Sequence, residues 1–229
     1  EDYRADINTS NYMVSKLLAK NTGQCHSMPL LFLILAEELE TEAFWCFSPS
    51  HSFIKFQDKQ NRWYNIELTQ GAVVTDDFYM NSGFIRSKAI QTGIYPNPQT
   101  MKQTIAHMLN DLSAYYISRY GYDHFIEENS NLVLRYSPSD LTAYQHYANI
   151  CTVQAQYVID ACGRPPKEQL PEYPQAHRLF KKMPQSYEKR DSLGYEEMPA
   201  EIYHNWLKQV DKAKTLPENQ PSPIIQIKK

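Results

Sequence analysis

The sequence predicts an α+β chain: a front half that mixes helices with antiparallel strands, followed by an all-helical back half. Three observations carry this expectation. A dense apolar run at residues 29–36 follows a polar turn, three short aromatic-rich segments separated by turn signals lie between residues 42 and 68, and apolar positions recur at helical spacing from about residue 100. At 229 residues, with 42% hydrophobic and 13% aromatic content, the chain has material for one large domain or two small ones. The formal net charge of -3 supplies no basic field, which argues against nucleic acid as a partner. No run is long and apolar enough to span a bilayer, so an integral membrane protein is not expected. The four cysteines, at 25, 46, 151 and 162, form no CxxC pair and read as neither a zinc site nor a disulfide framework. The sequence starts at Glu1 rather than methionine, so removal of an upstream segment is expected. If that segment held a signal peptide, the protein is periplasmic or surface-exposed, and otherwise it is cytoplasmic.

Taken in order, Asn8 to Ser10 can cap a helix over residues 11–20. Asn21, Thr22 and Gly23 then make a turn into a second helix that runs to about Glu38. Its Leu30, Leu31, Leu33, Ile34 and Leu35 are dense enough to predict burial on most sides. Pro29 is tolerated because it falls in the first turn, where its missing N–H had no partner. Residues 42–47, 51–57 and 62–68 read as strands, the last two joined by a hairpin at 58–61. Residues 70–100, rich in glycine and proline, read as loops with one short helix at 76–80.

A five-turn helix is expected from residue 100 to Gly121, with Ile105, Met108, Leu109, Leu112, Tyr115, Tyr116 and Tyr120 as its apolar face. Further helices are expected at 123–136, at 139–161 with Ser139 as cap, at 174–182 and at 199–214 with Trp206 and Val210 in its stripe. The tail beyond 215 is Pro-rich and polar. This gives a front domain over 1–98, a helical region over 99–215 and a tail over 216–229.

Cys25 stands at the start of the apolar helix, where unpaired N–H groups and the dipole favour a thiolate. His51 opens the second strand, and Asn65 and Glu67 share one face of the third. If the two strands pair around residues 58–61, Glu67 comes within reach of the His51 imidazole. A thiol nucleophile needs a base, and the base needs a group that fixes its tautomer. Cys25, His51 and either Glu67 or Asn65 supply those parts. Gln24 is adjacent to the thiol and is a candidate for oxyanion support. Trp45 and Trp63 are aromatic core residues or walls of the site, and His26 reads as a polar surface residue. A metal site of Cys25, Cys46 and His51 lacks a fourth ligand and any supporting spacing.

The order of a helix-borne cysteine, His51 in HSFIKF and an acid in WYNIELT resembles the transglutaminase-like superfamily over roughly residues 10–85. In that family the cysteine helix is followed by H-x-W/F on one strand and W-x-x-x-D-P-T on the next. Trp63 and Thr69 stand in register with that frame, and GQCHSMP resembles the G-x-C stretch. The acid is Glu67 where the family usually has Asp, and Leu68 stands in place of its proline. The resemblance implies a papain-like core, Cys25 as nucleophile, His51 as base and Glu67 as orienting residue. It also implies acyl transfer at an amide bond of a protein or peptide, with no cofactor. Residues 103–160, with the Tyr120–Asp123 turn and Pro138, resemble degenerate tetratricopeptide repeats of the kind carried by bacterial transglutaminase-like proteins with a helical tail, though Ser130 stands where a large aromatic is usual. Tyr144, Tyr147 and Tyr157 would then present a peptide-binding groove for a protein partner; in a plain helical subdomain, the alternative reading, they are packing residues. Two functions follow as expectations: a thiol amidase, peptidase or acyltransferase, or an inactive domain of the same fold that binds proteins through its helical half.

Overall fold

A computed structural model describes residues 8–82, 84–205 and 208. The described residues divide into two compact units, one holding those up to 101 together with those from 196 on, the other residues 102–195. The first unit is α+β. Its strands β1 (Phe44–Ser48), β2 (His51–Gln57), β3 (Trp63–Glu67) and β4 (Ala72–Val74) form an antiparallel sheet in sequence order. Short polar turns make that order the easiest to close. Between β2 and β3, the Asp58 carboxylate accepts from the backbone N–H of Gln60 at 2.8 Å and of Arg62 at 2.9 Å, which fixes the hairpin.

The two faces of the sheet carry different cores, as strand alternation requires. On one face Trp45 and Ile54 pack with Leu30 and Leu33 of helix α2 (Ser27–Glu38). On the other, Cys46 and Phe53 pack with Tyr79 of helix α3 (Asp76–Ser82). Burying each of these large side chains is worth about 1.5–3 kcal/mol. Helix α1 (Val14–Lys20) packs on α2 and is preceded by a 3₁₀ turn, Thr9–Tyr12, which Asn8 caps through Ser10 N–H.

Two expectations for this unit are corrected. Helix α2 buries Ser27, Pro29, Leu30, Leu33 and Ala36, whereas Ile34 and Leu35 are 49% and 53% exposed. The sheet covers one stripe of the helix, so a dense apolar run does not mean burial all round. The stretch 70–100 holds β4, α3 and a further helix, α4 (Ser87–Gln91), rather than loops with one helix. Elements of three and five residues are too short to show a period.

The second unit contains α5 (Met101–Tyr120, which starts at the boundary), α6 (His124–Tyr136), α7 (Leu141–Ala161) and α8 (Pro174–Ser192). Asp123 caps α6, and Asp140, not Ser139, caps α7 by accepting from Ala143 N–H at 2.8 Å. Helix α8 runs ten residues past its expected end, with Tyr187 and Arg190 bonding Asn149 and Gln145 of α7. Pro184 lies on the solvent side of α8, where a freed carbonyl can be hydrated.

Helix α5 departs from its sequence pattern in part. Leu109, Tyr115 and Tyr116 are half-buried, with Leu109 packed against Ala106, Val133 and Ala143. Ile105, Met108, Leu112 and Tyr120, however, are exposed, and the buried face is Thr104, Ala106, His107, Asn110, Asp111 and Ser113. The spacing shows that one face is apolar but not which face its neighbours cover. The buried polar groups are stabilised by one another. His107 Nδ1 bonds Asp140 at 2.7 Å, Asn110 donates to Asp140 at 2.9 Å, and Asn129 donates to Ser113 at 2.6 Å. Tyr157 is exposed, while Tyr144 bonds the Pro138 carbonyl and Tyr147 lies under Lys182. Of the helix expected at 199–214, residues 200–205 and 208 are helical. Trp206, Val210 and the tail lie outside the described residues. Among the described residues no helix is long and apolar enough to cross a membrane.

Candidate active site

The turn before α2 holds the nucleophile candidate. Gly23 allows it: a Cβ there would lie 2.7 Å from Met28 Cγ and 2.8 Å from Leu17 Cδ1, so this residue lets the turn close between α1 and α2. Helical bonding begins at Gln24, whose carbonyl accepts from Met28 N–H at 3.0 Å. Cys25 and His26 therefore sit in the opening turn. Gln24 N–H donates to the buried Ser27 hydroxyl at 3.2 Å. The Cys25 carbonyl accepts a hydrogen bond from Ser52 Oγ, which accepts in turn from Trp45 Nε1 at 2.8 Å. Trp45 is fully buried and acts as core and anchor.

Ser52 and its neighbour His51 point to opposite faces of β2. Ser52 grips the backbone of Cys25, while His51 presents an imidazole to its sulfur. Strand register completes the set. Ile54 pairs with Ile66, which places Glu67 on the same face as His51 and one diagonal step away. A slip of one residue would send Glu67 to the other face. In this register His51 Nε2 lies 2.6 Å from Glu67 Oε2. With Nε2 so engaged, Nδ1 is the nitrogen left for the thiol, and the Cys25 and His51 side chains are hydrogen-bonded.

Glu67 is fully buried and held at both oxygens. Oε1 accepts from Thr69 N–H at 3.0 Å and Thr69 Oγ1 at 2.5 Å, and Oε2 accepts from His51 and from Tyr79 O–H at 2.9 Å. Burial pushes the Glu67 carboxyl up, but the His51 charge and these hydrogen bonds outweigh it and hold it below the usual range. For His51, burial opposes the charged form, while Glu67 and Cys25 favour it and win, so its pKa is raised. Burial raises the Cys25 thiol, but the hydrogen bond and charge of His51, with a further contribution from His26, bring it below normal. The three shifts are consistent with a thiolate–imidazolium–carboxylate chain.

Asn65 does not reach His51. Its Nδ2 donates to Asp76 Oδ1 at 2.8 Å, so of the two candidate orienting groups only Glu67 faces the imidazole. Gln24 is buried beside the thiol. Its Oε1 lies 3.1 Å from Cys25 Sγ, from which it accepts when the thiol is protonated, and its Nε2 has no hydrogen-bond partner among the described residues. His26 is not simply a surface residue: its half-buried ring lies 4.7 Å from the Tyr12 ring and edge-on to Trp45 at 5.5 Å. Trp63 is 43% exposed and packs with Phe44. Cys46 lies in the core, where burial pushes its thiol far up.

Sequence reasoning did not single out Ser52 or Tyr79. Strand alternation next to His51 could have found Ser52. No local signal marks Tyr79, apart from the general need of a buried carboxylate for several donors. No family model, curated protein or solved structure matches the chain.

Proposed function

We propose that the chain is a thiol enzyme of transglutaminase-like type that performs acyl transfer or hydrolysis at an amide bond of a protein or peptide. One observation carries the reading: half-buried Cys25, buried His51 and the fully held Glu67 form a hydrogen-bonded chain. A cysteine helix on an antiparallel sheet, with the base and acid on successive strands, is the arrangement that a papain-like core would use. The Cys25 thiolate adds to the amide carbonyl carbon and the C=O π pair moves to oxygen. The backbone N–H of Cys25 and the Gln24 amide, whose Nε2 has no hydrogen-bond partner among the described residues, supply donors for that oxyanion. Collapse breaks the C–N bond, His51 gives its Nδ1 proton to the leaving amine, and a thioester remains. Water or a second amine then adds to the thioester while His51 takes its proton. The S–C bond breaks and the thiolate–imidazolium pair is restored.

The test is the rate of Cys25 alkylation by iodoacetamide from pH 4 to 9, in the intact protein and in His51→Ala. The intact protein is expected to react well below pH 8. His51→Ala should slow the reaction at pH 6 by about a hundredfold or more, the factor separating a thiolate from an ordinary thiol of pKa about 8.5. A profile rising only near pH 8.5 and indifferent to His51 would overturn the enzyme reading.

A further inference from the structure

Helix α3 places one side chain on the thiol site and is itself pinned at the opposite end of the same face. Its first residue, Asp76, accepts from Lys55 Nζ of β2 at 2.8 Å and 3.0 Å and from Asn65 Nδ2 of β3 at 2.8 Å. Lys55 is buried, and its partner strand position is Asn65. Three residues further along the helix, on the same side as Asp76, lies Tyr79. The Tyr79 ring is 1% exposed and stacks on Phe53 with centroids 3.7 Å apart and planes 11° apart. Its hydroxyl donates to Glu67 Oε2, the oxygen that also faces His51 Nε2. Two donors converge on one carboxylate oxygen, while Thr69 occupies the other.

This arrangement deepens the thiol-enzyme reading and rests on it. We propose that Tyr79 is a positioning residue of the thiol site, with α3 as the bracket that presents its hydroxyl, so that Glu67 stays ionised and aimed at His51. The triad is in this sense a tetrad whose fourth member never meets substrate. A donor to a buried carboxylate stabilises its charged form. Without that hydroxyl Glu67 takes a proton at a higher pH. A neutral Glu67 no longer supports the imidazolium, and the Cys25 thiolate loses its counter-ion. The buried Tyr79 phenol stays protonated throughout, because burial and the Glu67 charge both push its ionisation far up. The clamp of buried Lys55 and Asn65 on the exposed Asp76 carboxylate acquires a purpose in the same scheme, since it sets where α3 lies on the sheet.

The experiment compares the intact protein, His51→Ala, Tyr79→Phe and Asp76→Asn. Iodoacetamide labelling of Cys25 is read against pH by peptide mass spectrometry, with Cys162 as the reference thiol in the same samples. A second reading is the low-field NMR proton between His51 Nε2 and Glu67. Tyr79→Phe is expected to move the acid limb of the Cys25 profile up by about one pH unit, the worth of one hydrogen bond to a charged group. It should also shift the low-field proton, because Glu67 Oε2 then has a single donor. Asp76→Asn, which leaves the hydroxyl in place but loosens the bracket, is expected to move the limb the same way by less. If Tyr79→Phe fails to fold, an unmoved limb in Asp76→Asn overturns the proposal. An acid-shifted, His51-dependent profile that Tyr79→Phe leaves superimposed on the intact protein overturns the role of Tyr79 while the thiol enzyme stands. An ordinary profile in the intact protein, indifferent to His51, removes both.

Discussion

The two units each bury a histidine against a carboxylate, and the pairs look alike until their other bonds are followed. In the first unit His51 Nε2 lies 2.6 Å from Glu67, and in the second His107 Nδ1 lies 2.7 Å from Asp140. Both carboxyls are held below the usual range against burial by the facing histidine and by added donors. Glu67, however, directs its remaining bonds to Thr69 and Tyr79, side chains and backbone that steady it without tying it to a helix end. Asp140 caps α7 through Ala143 N–H and accepts from Asn110, so its charge is part of the helix packing. A buried His–carboxylate pair is thus not a site in itself. What distinguishes the first pair is the Cys25 thiol beside the imidazole and a carboxylate whose bonds cap no helix.

The two pairs should therefore fail in different ways when broken. The largest loss of stability is expected from Asp140→Ala. It removes the cap of α7 and breaks a buried pair, at a cost of about 3 kcal/mol or more. Denaturant unfolding would read this as a fall in midpoint, and the Cys25 alkylation profile of the folded fraction should keep its acid limb. A profile displaced as far as that of His51→Ala would break the distinction between the two pairs.

Acid should separate the units in the same way. His146, on α7, is buried among His107, Asp111, Asp140 and the Asn110 backbone, and its pKa is pushed down to about 4 from 6.5, burial being the main cause. The unfolded chain therefore binds this proton more readily than the folded one. The contribution is complete above about pH 6.5 and falls away as pH drops toward 4, by about 3 kcal/mol in all. Glu67 works at lower pH. With its pKa depressed in the fold, its contribution is present above the ordinary carboxylate range and is lost as pH falls from that range through the lower folded pKa. Unfolding free energy measured from pH 7 to 4 should decline, and His146→Gln should flatten that decline. An unchanged slope in His146→Gln would assign the acid sensitivity to other groups.

How much of each unit is legible in the sequence differs for a physical reason. Strands carry their pairing in their own period and turns, so aromatic-rich runs around Asp58 place β2 and β3, and the proximity of His51 and Glu67 follows. Whether Asn65 or Glu67 orients the imidazole is not legible, because both share a face and only register and α3 separate them. In the helical unit, period gives helix positions but not orientation. The exposed Ile105, Met108 and Leu112 stripe of α5 would suit a core, and His107, Asn110 and Asp111 would suit a surface, yet their places are exchanged. That exchange depends on Asp140 and Asn129, more than fifteen residues away, supplying the partners that let polar groups be buried. A single helix cannot show such partners, and neither could a Tyr79 that reaches Glu67 across a separate element.

The smallest predicted effect tests geometry rather than charge. Ser52 Oγ joins Trp45 Nε1 to the Cys25 carbonyl, so it fixes the backbone from which the thiol projects, and it lies on the face of β2 away from Glu67. Ser52→Ala takes away the acceptor that Trp45 uses and the donor that the Cys25 carbonyl uses, at a cost of about 2 kcal/mol in stability. No charge near the sulfur changes, so the midpoint of the Cys25 alkylation profile should stay where it is. The plateau rate should fall severalfold as the thiolate strays from its attack position. Ser52→Thr, which keeps the hydroxyl, should restore most of that rate. A midpoint moved by Ser52→Ala as far as by Tyr79→Phe would mean that the thiolate is set by the placement of the turn and not by the chain from His51 to Glu67. The separation of a gripping face from an ionising face of β2 would then fail.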